Sequence, residues 1–201
     1  MPYPTVSAPY GMVPVNLLGG QVYAGQTRDM PIGQNETTAI YFGDVVTLDN
    51  NGNVTKVTTT ATATTIGVFL GCTYVDPNTS QPIFKQYYPG AVNVAGMKAY
   101  VQDDPDQLYK VAVVSTGTTI GFLGQSAVGK NVSLVQNTGS ATTGNSKNAV
   151  LNTTDTETTL PIRVVDVVPE TAIAGFPGSY TEVIVRFNFG ISLYENATGR
   201  S

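Results

Sequence analysis

Residues 181–193 read Thr181-Glu182-Val183-Ile184-Val185-Arg186-Phe187-Asn188-Phe189-Gly190-Ile191-Ser192-Leu193. Val183, Val185, Phe187, Phe189, Ile191 and Leu193 fall on one face of an extended chain, and Glu182, Arg186, Asn188 and Ser192 on the other. That period of two predicts one long, half-buried β-strand with the second set in water. A slip of one residue would expose the whole apolar row, so the pairing of this strand is strongly specified.

The same period recurs outward from it. In 162–168, Ile162, Val164, Asp166 and Val168 oppose Arg163, Val165 and Val167; in 109–114, Tyr109, Val111 and Val113 oppose Lys110, Ala112 and Val114. In 66–75, Ile66, Val68, Leu70, Cys72 and Tyr74 alternate with Gly67, Phe69, Gly71, Thr73 and Val75. Asn and Gly in 49–53 predict a tight hairpin, and Asp103-Asp104-Pro105-Asp106 a turn in which proline presets φ. No segment carries a helical period. Residues 136–159 are polar, rich in Asn and Thr and of low complexity, which predicts a long surface loop with room for one helical turn at 146–151; 58–65 reads as a smaller loop. The fold class expected is mainly β.

Composition narrows the function. The chain has 201 residues, enough for one domain with a sizeable core. Charged residues are only 12% and the net charge is −4, with the ten basic residues scattered singly. Nucleic-acid binding needs clustered Lys and Arg, so none is expected. With no histidine, the usual general base and the commonest metal ligand are missing. Cys72 is the only cysteine, which rules out an intrachain disulfide and reads as a buried thiol. No apolar run approaches membrane-spanning length and the N-terminus lacks the features of a signal peptide, so neither membrane insertion nor secretion is expected.

Three stretches were candidates for chemistry. Residues 124–131, from Gly124 to Lys130 and Asn131, approach a phosphate-binding loop, but Asn131 stands where Ser or Thr should hold Mg²⁺, and the following Val132-Ser133-Leu134-Val135 alternates like a strand. Asp103, Asp104 and Asp106 lack the spacing of a calcium loop. Carboxylate pairs are plentiful but stand in no Trp-bearing sugar cleft. No catalytic, cofactor or metal residue is expected, and the chain reads as no enzyme. Tyr87-Tyr88, after Phe84-Lys85-Gln86, is either packing or contact surface.

Residues 1–27 carry no charged side chain. Pro2, Pro4, Pro9 and Pro14 punctuate Tyr3, Val6, Tyr10, Met12, Val13, Val15, Leu17 and Leu18. Proline at this density favours an extended path, and apolar character demands something to lie against. Two readings stand: the arm crosses its own domain, or it docks on a neighbouring subunit. The chain thus divides into an extended apolar arm, 1–27, and a β-rich body, 28–201. On the docking reading the contact residues are Pro2, Tyr3, Pro4, Val6, Pro9, Tyr10, Met12, Val13, Val15, Leu17 and Leu18, and removing 2–20 leaves a folded body.

Gly43-Asp44-Val45-Val46, the hairpin at 49–53, the Thr/Ala-rich loop 58–65 and Ile66-Gly67-Val68 succeed one another as in phage head decoration proteins. Residues 9–25, 103–106 and 160–165 add to that likeness. On these residues the chain resembles the capsid decoration (cement, head-stabilising) proteins of tailed phages, of the kind seen in marine and cyanobacterial phages. The resemblance implies a small β-barrel or β-tulip-like body with long polar loops. It also implies a homotrimer on the outer surface of the expanded capsid, the major capsid protein as partner, an arm that grips it, and assembly in the host cytoplasm. The alternative is a tail- or head-fibre-associated β-rich protein that binds a receptor or glycan.

Overall fold

A computed structural model describes residues 6–34, 36–58, 64–172 and 178–197. In chain order the strands are β1 (Val13–Leu17), β2 (Arg28–Pro31), β3 (Val45–Leu48), β4 (Val54–Lys56), β5 (Gly67–Val75), β6 (Pro82–Lys85) and β7 (Lys98–Gln102). They continue with β8 (Gln107–Thr116), β9 (Thr119–Ile120), β10 (Asn131–Val135), β11 (Ala149–Asp155), β12 (Ile162–Val167) and β13 (Glu182–Phe187). One 3-10 turn, Gln125–Ala127, interrupts them. The β-branched composition has the outcome expected of it, a mainly β protein.

Strands β8, β11, β10, β12 and β13 close on themselves, because β13 pairs back onto β8. This five-strand barrel is filled by Tyr109, Val111, Val113, Val132, Leu134, Val150, Ile162, Val164, Val167, Val183, Val185 and Phe187. Closure removes the free edges that an open sheet must protect. The second sheet runs β2-β7-β5-β3-β4 with β6 added to β5. A parallel bridge from Ile32 to Val54 joins its two ends and rolls it around Met30, Phe69, Cys72, Tyr74, Met97 and Val101. Val45, Val57 and Val68 leave the second sheet to join the barrel's core, so the two units share one hydrophobic interior. The turn at 103–106 passes directly from β7 to β8, and Gln102 Nε2 donates to Gln107 Oε1 at 2.8 Å across it.

Two strands break the strict alternation. Between Val164 and Asp166 the β12–β13 register shifts by one residue, so Val167, not Asp166, follows Val164 into the barrel. The bulge spares an unpaired carboxylate from burial. Between Phe69 and Gly71 the β5–β7 register shifts likewise. Val68 faces the barrel while Phe69, Cys72 and Tyr74 share the second core. Gly71, at φ +151°, occupies this bulge.

Three expectations are corrected. The run 181–193 is not one strand: β13 stops at Phe187, and Phe189 is 76% exposed. Asn188 ends the strand by donating from Nδ2 to Leu160 O (3.1 Å) while its Oδ1 accepts the Phe189 N–H (3.0 Å). The chain then crosses to the second sheet, where Ser192 bridges Thr65 and Leu193 joins the other core. Glu182, Asn188 and Ser192, expected in water, are buried. The second correction is 136–159, which contains barrel strand β11 in place of a continuous loop or a helical turn. Val150 alone supplies its inward contact to the barrel core, while Asn152 and Thr153 face solvent. A strand so polar leaves almost no apolar period to read.

The third concerns the leader. From Val6 to Leu18 it belongs to the body. β1 pairs antiparallel with β8 (Val13 with Lys110, Pro14 with Tyr109), and Met12 is completely buried in the shared core. Val6 and Tyr10 cover Ala112, Val114, Ala149 and Tyr180 on the barrel's outer face. The boundary at 27/28 is therefore no boundary in the packing. Within this single chain residues 6–18 follow the first reading of the arm and lie across their own domain.

Candidate partner-contact surface

Of the eight described arm residues assigned to docking, only Leu18 is exposed, at 44%. Pro9 and Met12 are buried, and Val6, Tyr10, Val13, Val15 and Leu17 are half-buried. Pro2, Tyr3 and Pro4 lie outside the described residues. Tyr10 donates to Glu182 Oε1 at 2.5 Å, and Lys110 Nζ approaches the same oxygen at 3.2 Å. Burial, and then the hydrogen bond to that carboxylate, pushes the Tyr10 phenol well above its ordinary value. This is why Glu182 tolerates burial on a face where the alternation predicts water.

Gly43 and Asp44, which open the stretch 43–68 that carries the resemblance, sit at the junction between the two units. Asp44 is fully buried. Its Oδ2 accepts the Tyr41 N–H (2.9 Å) and meets Lys56 Nζ at 2.9 Å, and its Oδ1 accepts the Ser146 hydroxyl at 2.5 Å. Met12 N–H donates to Gly43 O (3.0 Å), Gly11 N–H to Asn148 O (3.2 Å), and Ser146 N–H to Phe42 O (2.8 Å). The second sheet and the approach to β11 thus meet at one carboxylate, and the leader is bonded to its neighbour Gly43. Gly43, at φ +86°, fits because a Cβ would stand 3.0 Å from Met12 N. Ser146 and Asn148 sit in the stretch read as loop, so nothing in the local sequence marked them.

The surface that remains open lies on β6. Among the described residues this strand pairs only with β5, which leaves one side without a neighbour. Pro82 opens it, a position that proline tolerates because it needs no ladder donor there. Phe84 projects from it 74% exposed. Next to it the Lys85 ammonium lies 5.9 Å from the ring centroids of both Tyr74 and Tyr87, and its pKa is raised, first by its hydrogen bond with Tyr74. Tyr87 stacks on Tyr41 at 5.4 Å. Tyr88, its neighbour, turns inward and is fully buried, donating its hydroxyl to Glu36 O at 2.9 Å. The Phe84-Lys85-Gln86-Tyr87-Tyr88 cluster therefore splits: Tyr88 is core, Tyr87 is half-buried against Tyr41 with Lys85 above it, and Phe84 projects alone from the opposite face of the open edge strand. Aromatics are enriched where proteins bind proteins, and an open edge offers main-chain hydrogen bonds to an added strand.

A cleft of about 370 Å³ between the two units is lined by Tyr41, Lys56, Gln136, Asn137 and several threonines. The Tyr41 ring is already covered by Tyr87, and Gly139 packs so closely that a Cβ there would stand 2.3 Å from it. It offers little open aromatic face for a sugar to stack on.

The remaining candidates for chemistry are occupied structurally. Asn131 starts β10, donating to Glu157 O at 2.8 Å and accepting from Arg163 Nε at 3.0 Å; no helix follows Lys130. Asp103 holds Arg28 at 3.0 Å, and Asp104 Oδ1 accepts the Asp106 N–H at 2.9 Å. No group of three or more Cys, Asp or Glu side chains among the described residues is placed to hold a metal ion. Cys72 is buried and burial pushes its thiol up to about 12. Comparison with protein families, with curated proteins and with solved structures returns no match for this chain.

Proposed function

We propose that this chain is a structural virion protein that decorates the outside of a tailed-phage head and cements neighbouring major capsid protein subunits, as a homotrimer, against the outward pressure of packed DNA. The observation that carries the reading is the open edge of β6 with its exposed Phe84. A cement needs a rigid body and a surface that binds protein without demanding a pocket. Rigidity is supported by the shared core and by the buried Asp44 junction. Of the residues that carry the resemblance, 43–46, 49–53 and 66–68 come together through the pairing of β3 with β4 and with the start of β5. Three attachments on one trimer gain avidity of roughly 10²–10⁴ over one.

The test is binding of purified protein to heads that lack it. Phe84→Asp should abolish co-sedimentation with heads while leaving the melting temperature unchanged, since the side chain is mostly in water. Wild-type protein that fails to bind heads, or that is absent from purified particles, would refute the proposal.

A further inference from the structure

We propose that the leader is an exchangeable strap: residues 6–17 of one copy take the same seat on the body of a second copy, linking the chains by strand exchange. The proposal does not need head decoration to be right, because it rests on the seat and the hinge alone.

The seat is built by the rest of the chain. β1 lies against β8, Met12 enters a core of residues numbered 45 and above, and Val6 and Tyr10 cover residues of β8, β11 and Tyr180. Main-chain bonds complete it: Tyr180 N–H to Val6 O (3.1 Å), Met12 N–H to Gly43 O (3.0 Å), Gly11 N–H to Asn148 O (3.2 Å). Almost every one of these partners belongs to the body. A second copy's leader would meet identical atoms on the body, so exchange forfeits only the turn between leader and hinge, Leu17 N–H to Gln21 O (2.9 Å), Gly20 N–H to Leu17 O (3.1 Å) and the Asn16–Val22 bridge.

The hinge is residues 18–27. All of them are exposed except half-buried Tyr23. Gly19, Gly20 and Gly25 have φ of +95°, +86° and +76°, and a Cβ at any of them would meet nothing within 4 Å. These glycines serve the backbone's freedom, not packing. Both ends of the hinge leave the body at the same turn: Leu18 N–H donates to Asp106 O at 2.8 Å, and Arg28 pairs with Asp103. Opening it lifts β1 off β8 and requires no other strand pairing to break. Ten residues extended reach roughly 33 Å, enough to cross to an adjoining body. The leader and hinge up to Thr27 carry no charge, so a chain of net charge −4 does not repel it.

Tethering gives a leader an effective concentration of about 1 mM at its own seat, so self-docking dominates in dilute solution and exchange grows as copies approach that concentration. The experiment is Val13→Cys with Lys110→Cys in a Cys72→Ser chain. Directly opposed antiparallel residues lie ~4.5–5.5 Å apart at Cα, within disulfide range. The protein is unfolded, refolded at ~10 µM and at ~1 mM, oxidised, and run denatured without reductant. Exchange predicts an internally bonded single chain at the low concentration and a major ladder of disulfide-linked chains at the high one. Only internally bonded chains at both concentrations would overturn it. A trimer in solution with purely internal disulfides would overturn exchange and leave cementing standing. If the pair fails to oxidise, the mass of the unsubstituted chain decides. Multimers formed at ~1 mM that persist for hours after dilution support exchange, since withdrawal breaks β1 pairing. Monomer throughout, or multimers lost on mixing, refute it.

Discussion

Replacing Asp44 by Ala is the sharpest test of what holds the two units together. The carboxylate is fully buried and its Lys56 partner is 12% exposed at the side chain, with 2.9 Å between them. Removal strands a largely desolvated ammonium and orphans two further donors, the Tyr41 N–H and the Ser146 hydroxyl. Breaking one side of a buried pair costs about 3–5 kcal/mol. The orphaned donors overlap with that figure and do not simply add to it. Taking about 4 kcal/mol, and 2–4 °C per kcal/mol for a chain of this size, the melting temperature falls by ~8–16 °C. A loss of this size is a large part of the ~5–15 kcal/mol a domain possesses. Lys56→Met should cost less, because it leaves the carboxylate its Tyr41 and Ser146 donors. The double variant should recover at least about 1 kcal/mol relative to the sum of the singles. Thermal and urea melts of the four proteins measure the cycle. Because the pair is shielded from solvent, raising the salt should change the coupling little. A drop of about 2 °C or less for Asp44→Ala, or strictly additive losses, would mean the junction is not held by this ion pair.

Three further outcomes follow from burial. Met12→Ala should destabilise by about 2–5 kcal/mol in urea melts, whereas Val22→Ser, at a residue 78% exposed, should leave the midpoint unchanged. Cys72, with its thiol pushed up to about 12, should resist an aromatic disulfide reagent near pH 8 in the native protein and react at once in denaturant; fast native labelling would contradict its burial. Tyr10 and Tyr109 both have phenols raised above their ordinary value, burial first among the causes. The sign follows from linkage: folding holds the neutral phenol, so this stability is whole below the unfolded pKa near 10 and is lost as pH rises beyond it. Melts between about pH 9 and 11 should show a decline that Tyr10→Phe makes shallower.

The sequence was legible where burial on one face was uniform. β8 and β13 carry their inward residues in strict alternation; β8 was readable to within two residues at each end, and β13 at its start, though it stops six residues before the expected end. It misled wherever the chain stepped out of register. Asp166 falls in phase with Val164, and only a bulge in the pairing turns it outward. The β5 bulge likewise divides Val68 from Cys72. β11 was invisible because its outer face is Asn and Thr and its neighbours are distant in sequence. Asp44 stood out as part of a motif, but its partners Lys56 and Ser146 come from two other elements, and Ser146 is 102 residues away. Phe84 and Tyr88 are four residues apart in one aromatic run, yet one is in water and the other in the core; no local pattern separates them.

The leader changes how partner binding must be tested. Deleting residues 2–20 looks, from sequence, like the removal of a detachable arm. In the structure it removes Met12 from the shared core, strips β1 from β8 and uncovers Ala112, Val114 and Ala149. Such a truncation loses several kcal/mol by Met12 alone, about 2–5, and its failure to bind heads would report unfolding as readily as a lost contact. Phe84→Asp carries no such ambiguity, since nothing in the core depends on it. If the open β6 edge binds the shell, the Phe84 variant loses binding at full stability, while Leu18→Ala, at the one exposed residue among the described arm positions assigned to docking, keeps both. The opposite pattern, binding kept by Phe84→Asp and lost by Leu18→Ala at unchanged stability, would return the contact to the leader and remove the edge from the argument.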